Sequence, residues 1–196
     1  YGACCQMVAH FTDIDPDSVY GQAIVNDMIN WDEYGNTDKR NIVENLKKYY
    51  GIDIVWDEYY NYWNQWLYQY EKPFAATYEL LEYLHGKYRL AVVSNGASFG
   101  QWQKVRQNDF GKYFDAVVIS GDIGVGKPDP GIFEYALSQL GVKAEETVFV
   151  GDTYGKDILG AYRAGITPIW LWPKDGRGDS GAVKRIYDIR ELFEIL

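Results

Sequence analysis

Thr147-Val148-Phe149-Val150-Gly151-Asp152-Thr153 runs directly into Tyr154-Gly155-Lys156-Asp157-Ile158-Leu159-Gly160-Ala161. The apolar, β-branched start predicts a short buried strand over 147–150, and the segment downstream of the turn predicts a helix over 157–164. Asp152 and Asp157 stand five residues apart across the turn, so both carboxylates can face the strand's carboxyl end. In open parallel sheets ligands bind at that end, because backbone N–H groups and helix N-termini point there.

The same alternation repeats on either side. Short apolar runs at 88–93, 116–119 and 168–172 predict further strands, and helical spacing at 77–84, 100–109 and 130–140 predicts the helices between them. Such alternation implies right-handed βαβ units, hence an α/β domain built on a single parallel sheet covered on both faces. Upstream, residues 1–69 are helical in pattern. Over 38–50 the apolar Ile42, Val43, Leu46 and Tyr49 fall at three- and four-residue spacing, with Gly51 placed to stop the helix, and 57–70 carries a dense aromatic stripe. The change of character at Lys72-Pro73 divides the chain into a helical domain, 1–71, and a sheet domain, 72–196.

A chain of 196 residues accommodates one α/β domain plus a modest insertion. Its formal charge of −9 disfavours nucleic acid and anionic membrane as partners, since both require clustered Lys and Arg. An anionic substrate therefore needs a local cation or a metal. Cys4 and Cys5 are adjacent and poorly placed for a structural disulfide, which fits a reducing cytoplasm. No run approaches the length of a membrane span, and no basic segment leads into an apolar one at the N-terminus.

Three groups of residues carry chemistry. Ser94, Asn95 and Gly96 close the run Val92-Val93, where a hydroxyl and exposed amides can hold phosphoryl oxygens; a polar residue there can equally cap the next helix. Lys127 lies in Gly126-Lys127-Pro128-Asp129-Pro130, an irregular loop before a helix, and is either a solvated loop lysine or the neutralising charge for a phosphoryl group. Asp152 and Asp157 offer the oxygen ligands that Mg²⁺ takes, although helix capping and a first-turn acid are the plain alternatives.

In order and spacing these motifs resemble the haloacid dehalogenase superfamily of aspartate-nucleophile hydrolases, over residues 72–172. The resemblance implies a Rossmann-like, three-layer core bearing a helical cap. It implies a Mg²⁺-dependent phosphatase that hydrolyses a small phosphomonoester through an aspartyl-phosphate. Ser94, Asn95, Gly96 and Lys127 would bind the phosphoryl group, with Ser94 and Lys127 assisting catalysis. Asp152 would hold Mg²⁺, with Asp157 in a supporting or water-bridged place at the metal. The partner implied is a small phosphorylated metabolite. Gly35-Asn36-Thr37-Asp38 is a weaker, cap-like echo. Two rivals stand beside this reading: a non-catalytic chain of the same fold, and a metal-independent 2-haloacid dehalogenase, against which Gly151-Asp152 argues.

The pattern breaks at the nucleophile. The family's strand ending Asp-x-Asp-Gly-Thr is absent; Asp13-Ile14-Asp15 comes after a poor strand and precedes Pro16-Asp17-Ser18, which predicts a loop between helices with Asp17 or Ser18 as a cap. The expectation is that the chain begins just after the motif, within the first cap helix. A missing first strand would leave a gap or an open sheet edge, and self-association through that edge or through the aromatic stripe (Tyr59, Tyr60, Tyr62, Trp63, Trp66, Tyr70). That stripe reads as a packed helix face rather than a base-stacking surface. His10 and His85 read as ordinary helix or surface positions, and Arg177-Gly178-Asp179-Ser180 as a flexible turn.

Overall fold

The computed structural model describes residues 1–32, 37–70, 72–171 and 183–196. Gly35, Asn36, Trp172 and the Arg177-Gly178-Asp179-Ser180 turn lie outside them. The chain divides into two compact units, Tyr1–Lys72 and Pro73–Leu196.

The first unit holds helices α1 (Gly2–Phe11), α2 (Val19–Asp32), α3 (Arg40–Tyr50) and α4 (Trp56–Tyr70). The stripe of α3 turns Ile42 and Leu46 inward and leaves Tyr49 at the surface, stacked on Trp31. The aromatics of α4 supply much of the core: Tyr59 and Trp63 are buried with Met7, Ile24, Val25 and Met28. Each such side chain contributes about 1.5–3 kcal/mol of burial free energy. Tyr62 stacks on His10 with ring centroids 3.7 Å apart, and Tyr70 stays exposed. Burial also pushes the Cys4 thiol up to about 11, so it is uncharged and unreactive at neutral pH.

Asp13-Ile14-Asp15 sits between α1 and α2, with a helix and not a strand before it. The Asp15 carboxylate accepts the Asp17 N–H at 3.0 Å, and the Ser18 hydroxyl accepts the Gly21 N–H at 3.0 Å at the start of α2. Ser18 is thus the helix cap, and Asp15 braces the turn that leads to it.

The second unit runs α5 (Thr77–Leu84), β1 (Ala91–Ser94), α6 (Ser98–Gln107), β2 (Ala116–Ile119), α7 (Ser120–Ile123), α8 (Pro130–Leu140), β3 (Val148–Gly151), α9 (Leu159–Arg163), β4 (Thr167–Leu171), β5 (Lys184–Ile186) and α10 (Leu192–Ile195). All strand pairs are parallel. Ile132, Phe133 and Ala136 of α8 and Ala161 of α9 pack with Val93 and Phe149 on one face. Leu80 and Leu84 of α5 and Leu192 of α10 pack with Val150, Ile169 and Ile186 on the other. Adjacent Phe149 and Val150 thus serve opposite faces, as the two-residue period of a strand requires, and the unit is a three-layer α/β fold.

Three expectations are corrected. The sheet is not single: β1 pairs β2, β3 pairs β4 and β4 pairs β5, but β1 and β3 share no ladder. A cavity of about 410 Å³ separates them, lined by Ala91, Val92 and Val93 on one side and Val148, Phe149 and Val150 on the other. No described strand lies between these edges. The helix expected over 157–164 is also shorter, because a wide π-type turn at Tyr154–Ile158 precedes α9. Its cause is Asp157, whose carboxylate turns back to the N–H groups of Asp152 and Thr153. The strand expected at 88–93 begins three residues late, since the Leu90 N–H is bound by the Asp115 carboxylate at 2.9 Å. β5 and α10 were too short and weakly patterned to read.

Phe133 is fully buried and meets Phe149 edge-on at 5.0 Å, whereas Tyr135, two residues on, is exposed. Phe133→Ala is expected to cost about 3–5 kcal/mol in urea unfolding, and Tyr135→Ala less than about 0.5 kcal/mol.

Candidate active site

The loop from α7 to α8 carries Lys127 beneath the ends of β1 and β3. Its ammonium donates to the Val93 carbonyl at 2.9 Å and pairs with Asp157 Oδ1 at 2.7 Å. The lysine side chain is 12% exposed and the aspartate's 6%, so this is a buried ion pair rather than a solvated contact. An ammonium has three protons, and these two contacts leave one for a ligand among the described residues.

Asn95 holds the lysine in place. Its amide donates to the Lys127 carbonyl at 2.8 Å while its carbonyl accepts the Lys127 N–H at 2.7 Å. Its side chain therefore braces the lysine loop through both polar atoms and keeps one Nδ2 proton besides.

Asp157 has both oxygens engaged. Oδ1 takes Lys127, while Oδ2 accepts the N–H groups of Asp152 at 3.1 Å and Thr153 at 2.9 Å. The approach is possible because residue 151 is glycine: a Cβ there would lie 2.3 Å from the Asp157 Cβ. The loop after β3 is thus wrapped on a buried carboxylate.

Asp152 sits next to that glycine and is the more exposed acid. Partial desolvation of its carboxyl group, and then the negative charge of Asp157, raise its pKa above the usual carboxylate range. Its carbonyl accepts the Trp170 indole N–H at 3.0 Å, fixing the loop to β4. Asp152, Asp157 and Lys127 all line the cavity between β1 and β3. Ser94 and Asn95 stand just outside that lining, one and two residues past Val93.

Ser94 donates to the Gln101 carboxamide oxygen at 3.0 Å, and the Gly96 N–H donates to the Ser120 hydroxyl at 3.0 Å. Neither Gln101 nor Ser120 was singled out from sequence. Their partners are 7 and 24 residues away, and no local spacing marks such contacts. Among the described residues no group of three or more His, Cys, Asp or Glu gathers as a metal site. Asp152 fits Mg²⁺ as a single carboxylate ligand, in a place where two neighbouring acids leave charge to be neutralised; Mg²⁺ habitually completes such a site with substrate phosphate and water.

The chain matches the haloacid dehalogenase-like hydrolases over residues 25–171. It is 38% identical over 133 residues to glyceraldehyde 3-phosphate phosphatase of Methanothermobacter thermautotrophicus, covering 64% of this chain and 59% of the relative. It is also 38% identical over 127 residues to the pyrimidine 5'-nucleotidase YjjG of Escherichia coli, covering 62% of this chain and 56% of that protein. It thus spans less than two thirds of either relative. Its fold is that of the HAD-hydrolase YfnB of Bacillus subtilis, solved with magnesium bound: TM-score 0.72, 24% identity, 89% of this chain and 80% of the other covered. With most of its length matched and its strand-end loops built around Lys127 and Asp157, the chain belongs to the haloacid dehalogenase-like hydrolase family.

Proposed function

We propose that this chain supplies the phosphate- and metal-binding half of a phosphatase acting on small phosphomonoesters. The observation that carries the reading is the buried Lys127, fixed by Val93, Asn95 and Asp157 beside the Asp152 carboxyl group. In a protein of net charge −9, a fixed ammonium with a proton to spare at a strand end favours the holding of an anion there. Relatives that act on a triose phosphate and on pyrimidine nucleotides support phosphomonoesters as the class and leave the leaving group open.

In this reading Ser94, the Asn95 backbone and the remaining Lys127 proton receive the phosphoryl oxygens, while Gly96, whose N–H is donated to the Ser120 hydroxyl, shapes the turn that carries them. Asp152 holds Mg²⁺, which supplies charge neutralisation when bound, and Asp157 orients the loop and Lys127 rather than meeting the metal first. The attacking group is an aspartate on a strand seated between β1 and β3, forming an aspartyl-phosphate that water then hydrolyses. The cavity between the two open strand edges supports that placement. The helical unit acts as the cap that excludes water and selects substrate. A cytoplasmic setting, and self-association through the open β1 and β3 edges, belong to the same proposal.

Asp152→Asn is expected to lower Mg²⁺-dependent phosphate release at least about 100-fold in protein that carries the nucleophile. Because Asp152's folded pKa is raised, its contribution to stability is present at low pH and is lost as pH rises through that value. The metal-free variant should therefore be as stable as the parent or more so at neutral pH, and thermal melts from pH 3 to 8 should show a smaller decline. Retained turnover, or a large stability loss, rejects Asp152 as a ligand.

The 196-residue chain alone is expected to release no phosphate from a broad phosphomonoester panel with Mg²⁺, and Asp13→Asn to change nothing. Activity that disappears in Asp13→Asn contradicts the structural role of the Asp13-Ile14-Asp15 turn. Binding without turnover, even in protein that carries an aspartate nucleophile, favours the non-catalytic rival.

A further inference from the structure

Gln101 enters the site from α6 and makes its contact through Ser94 rather than through the lysine. The Ser94 hydroxyl has one proton, and the nearer of its two acceptors is Gln101 Oε1 at 3.0 Å, with the Asn95 carbonyl at the 3.5 Å limit. Phosphoryl oxygens only accept. A serine whose proton is given to an amide oxygen cannot also donate to an anion, so binding requires that proton to be released.

The carboxamide is able to release it. Gln101 lies across the turn at Gly96, with Nε2 only 2.6 Å from where a Cβ on residue 96 would stand and Cγ and Cδ at 3.1 and 3.2 Å. Gly96 adopts φ of 144°, and its missing side chain is what gives the amide room over the strand end. A half-turn about the terminal bond exchanges the amide's oxygen and nitrogen. Nε2 then donates into the Ser94 oxygen, and the hydroxyl proton is free to point at the ligand.

We propose that Gln101 is a positioning residue that switches the Ser94 hydroxyl from an amide-bound state to an anion-donating one by reversing its carboxamide. This rests on the anion site proposed above and adds to it the group that sets the direction of one of its donors. Glutamine suits the task because one end of its side chain accepts and the other donates. Glutamate at 101 can only accept, so it would keep the Ser94 proton. Methionine, of similar length, would neither hold that proton strongly nor donate.

The test measures the dissociation constant of inorganic phosphate with Mg²⁺ present, by calorimetry, for the protein and for Gln101→Glu, Gln101→Met, Ser94→Ala, Lys127→Ala and the double variant Ser94→Ala/Gln101→Glu, with a thermal melt of each. Gln101→Glu is expected to weaken phosphate about tenfold or more and Gln101→Met no more than about threefold. In the Ser94→Ala background the glutamate should add less than about threefold, because the switch has nothing left to act on. Equal effects of glutamate and methionine, or a glutamate effect undiminished without Ser94, overturn the role of Gln101 while leaving the anion site intact. Phosphate affinity unchanged in both Ser94→Ala and Lys127→Ala overturns the anion site itself, and the switch with it.

Discussion

The buried pair of Lys127 and Asp157 is the constraint on which the arrangement of the strand ends depends. β1 and β3 share no hydrogen bonds, yet Lys127 binds the Val93 carbonyl on one side and the Asp157 carboxylate on the other, spanning the two sheet segments at their carboxyl ends. Desolvating two charges costs several kcal/mol per ion, recovered only when the remaining donors and acceptors are also satisfied. On the acid side they are: Asp157 receives two backbone N–H groups besides the ammonium, while Asn95 fixes the lysine's own peptide groups and one ammonium proton is left over. The loop after β3 and the loop before α8 are folded on that pair, and Asp152 takes its place as a consequence.

This arrangement separates two duties that the sequence leaves merged. Asp152 and Asp157 look alike as carboxylates five apart on a strand-to-helix turn. The fold makes Asp157 an internal anchor with both oxygens used, and leaves Asp152 exposed with a carboxyl group that loses its proton reluctantly. A cation arriving there would relieve repulsion between neighbouring acids, which is the ground for the proposal of Mg²⁺ at Asp152. Asn95 gains a duty that its position in the sequence does not show: its carboxamide braces the lysine loop.

Much of the fold was legible because it rests on local pattern. The strands at 116–119 and 147–150 and the helices at 77–84 and 130–140 arise from apolar runs and helical spacing, and each is found within a residue of its expected place. The break between β1 and β3 was legible only as a consequence of a missing motif. Gln101 and Ser120 were not legible at all, since their importance comes from contacts across a turn or between separate strand ends. The aromatic stripe of α4 shows the same limit: its spacing indicates a buried face, but only packing distinguishes inward Tyr59 and Trp63 from outward Tyr70.

The most direct test of the bridge is the unfolding free energy of Lys127→Met, Asp157→Asn and the double variant, compared as a thermodynamic cycle. If the pair holds the two sheet segments together, each single change costs several kcal/mol and the coupling energy is about 1.5–3 kcal/mol, the double variant losing far less than the two singles combined. Additive losses, agreeing within about 0.5 kcal/mol, would contradict the central place given to this pair.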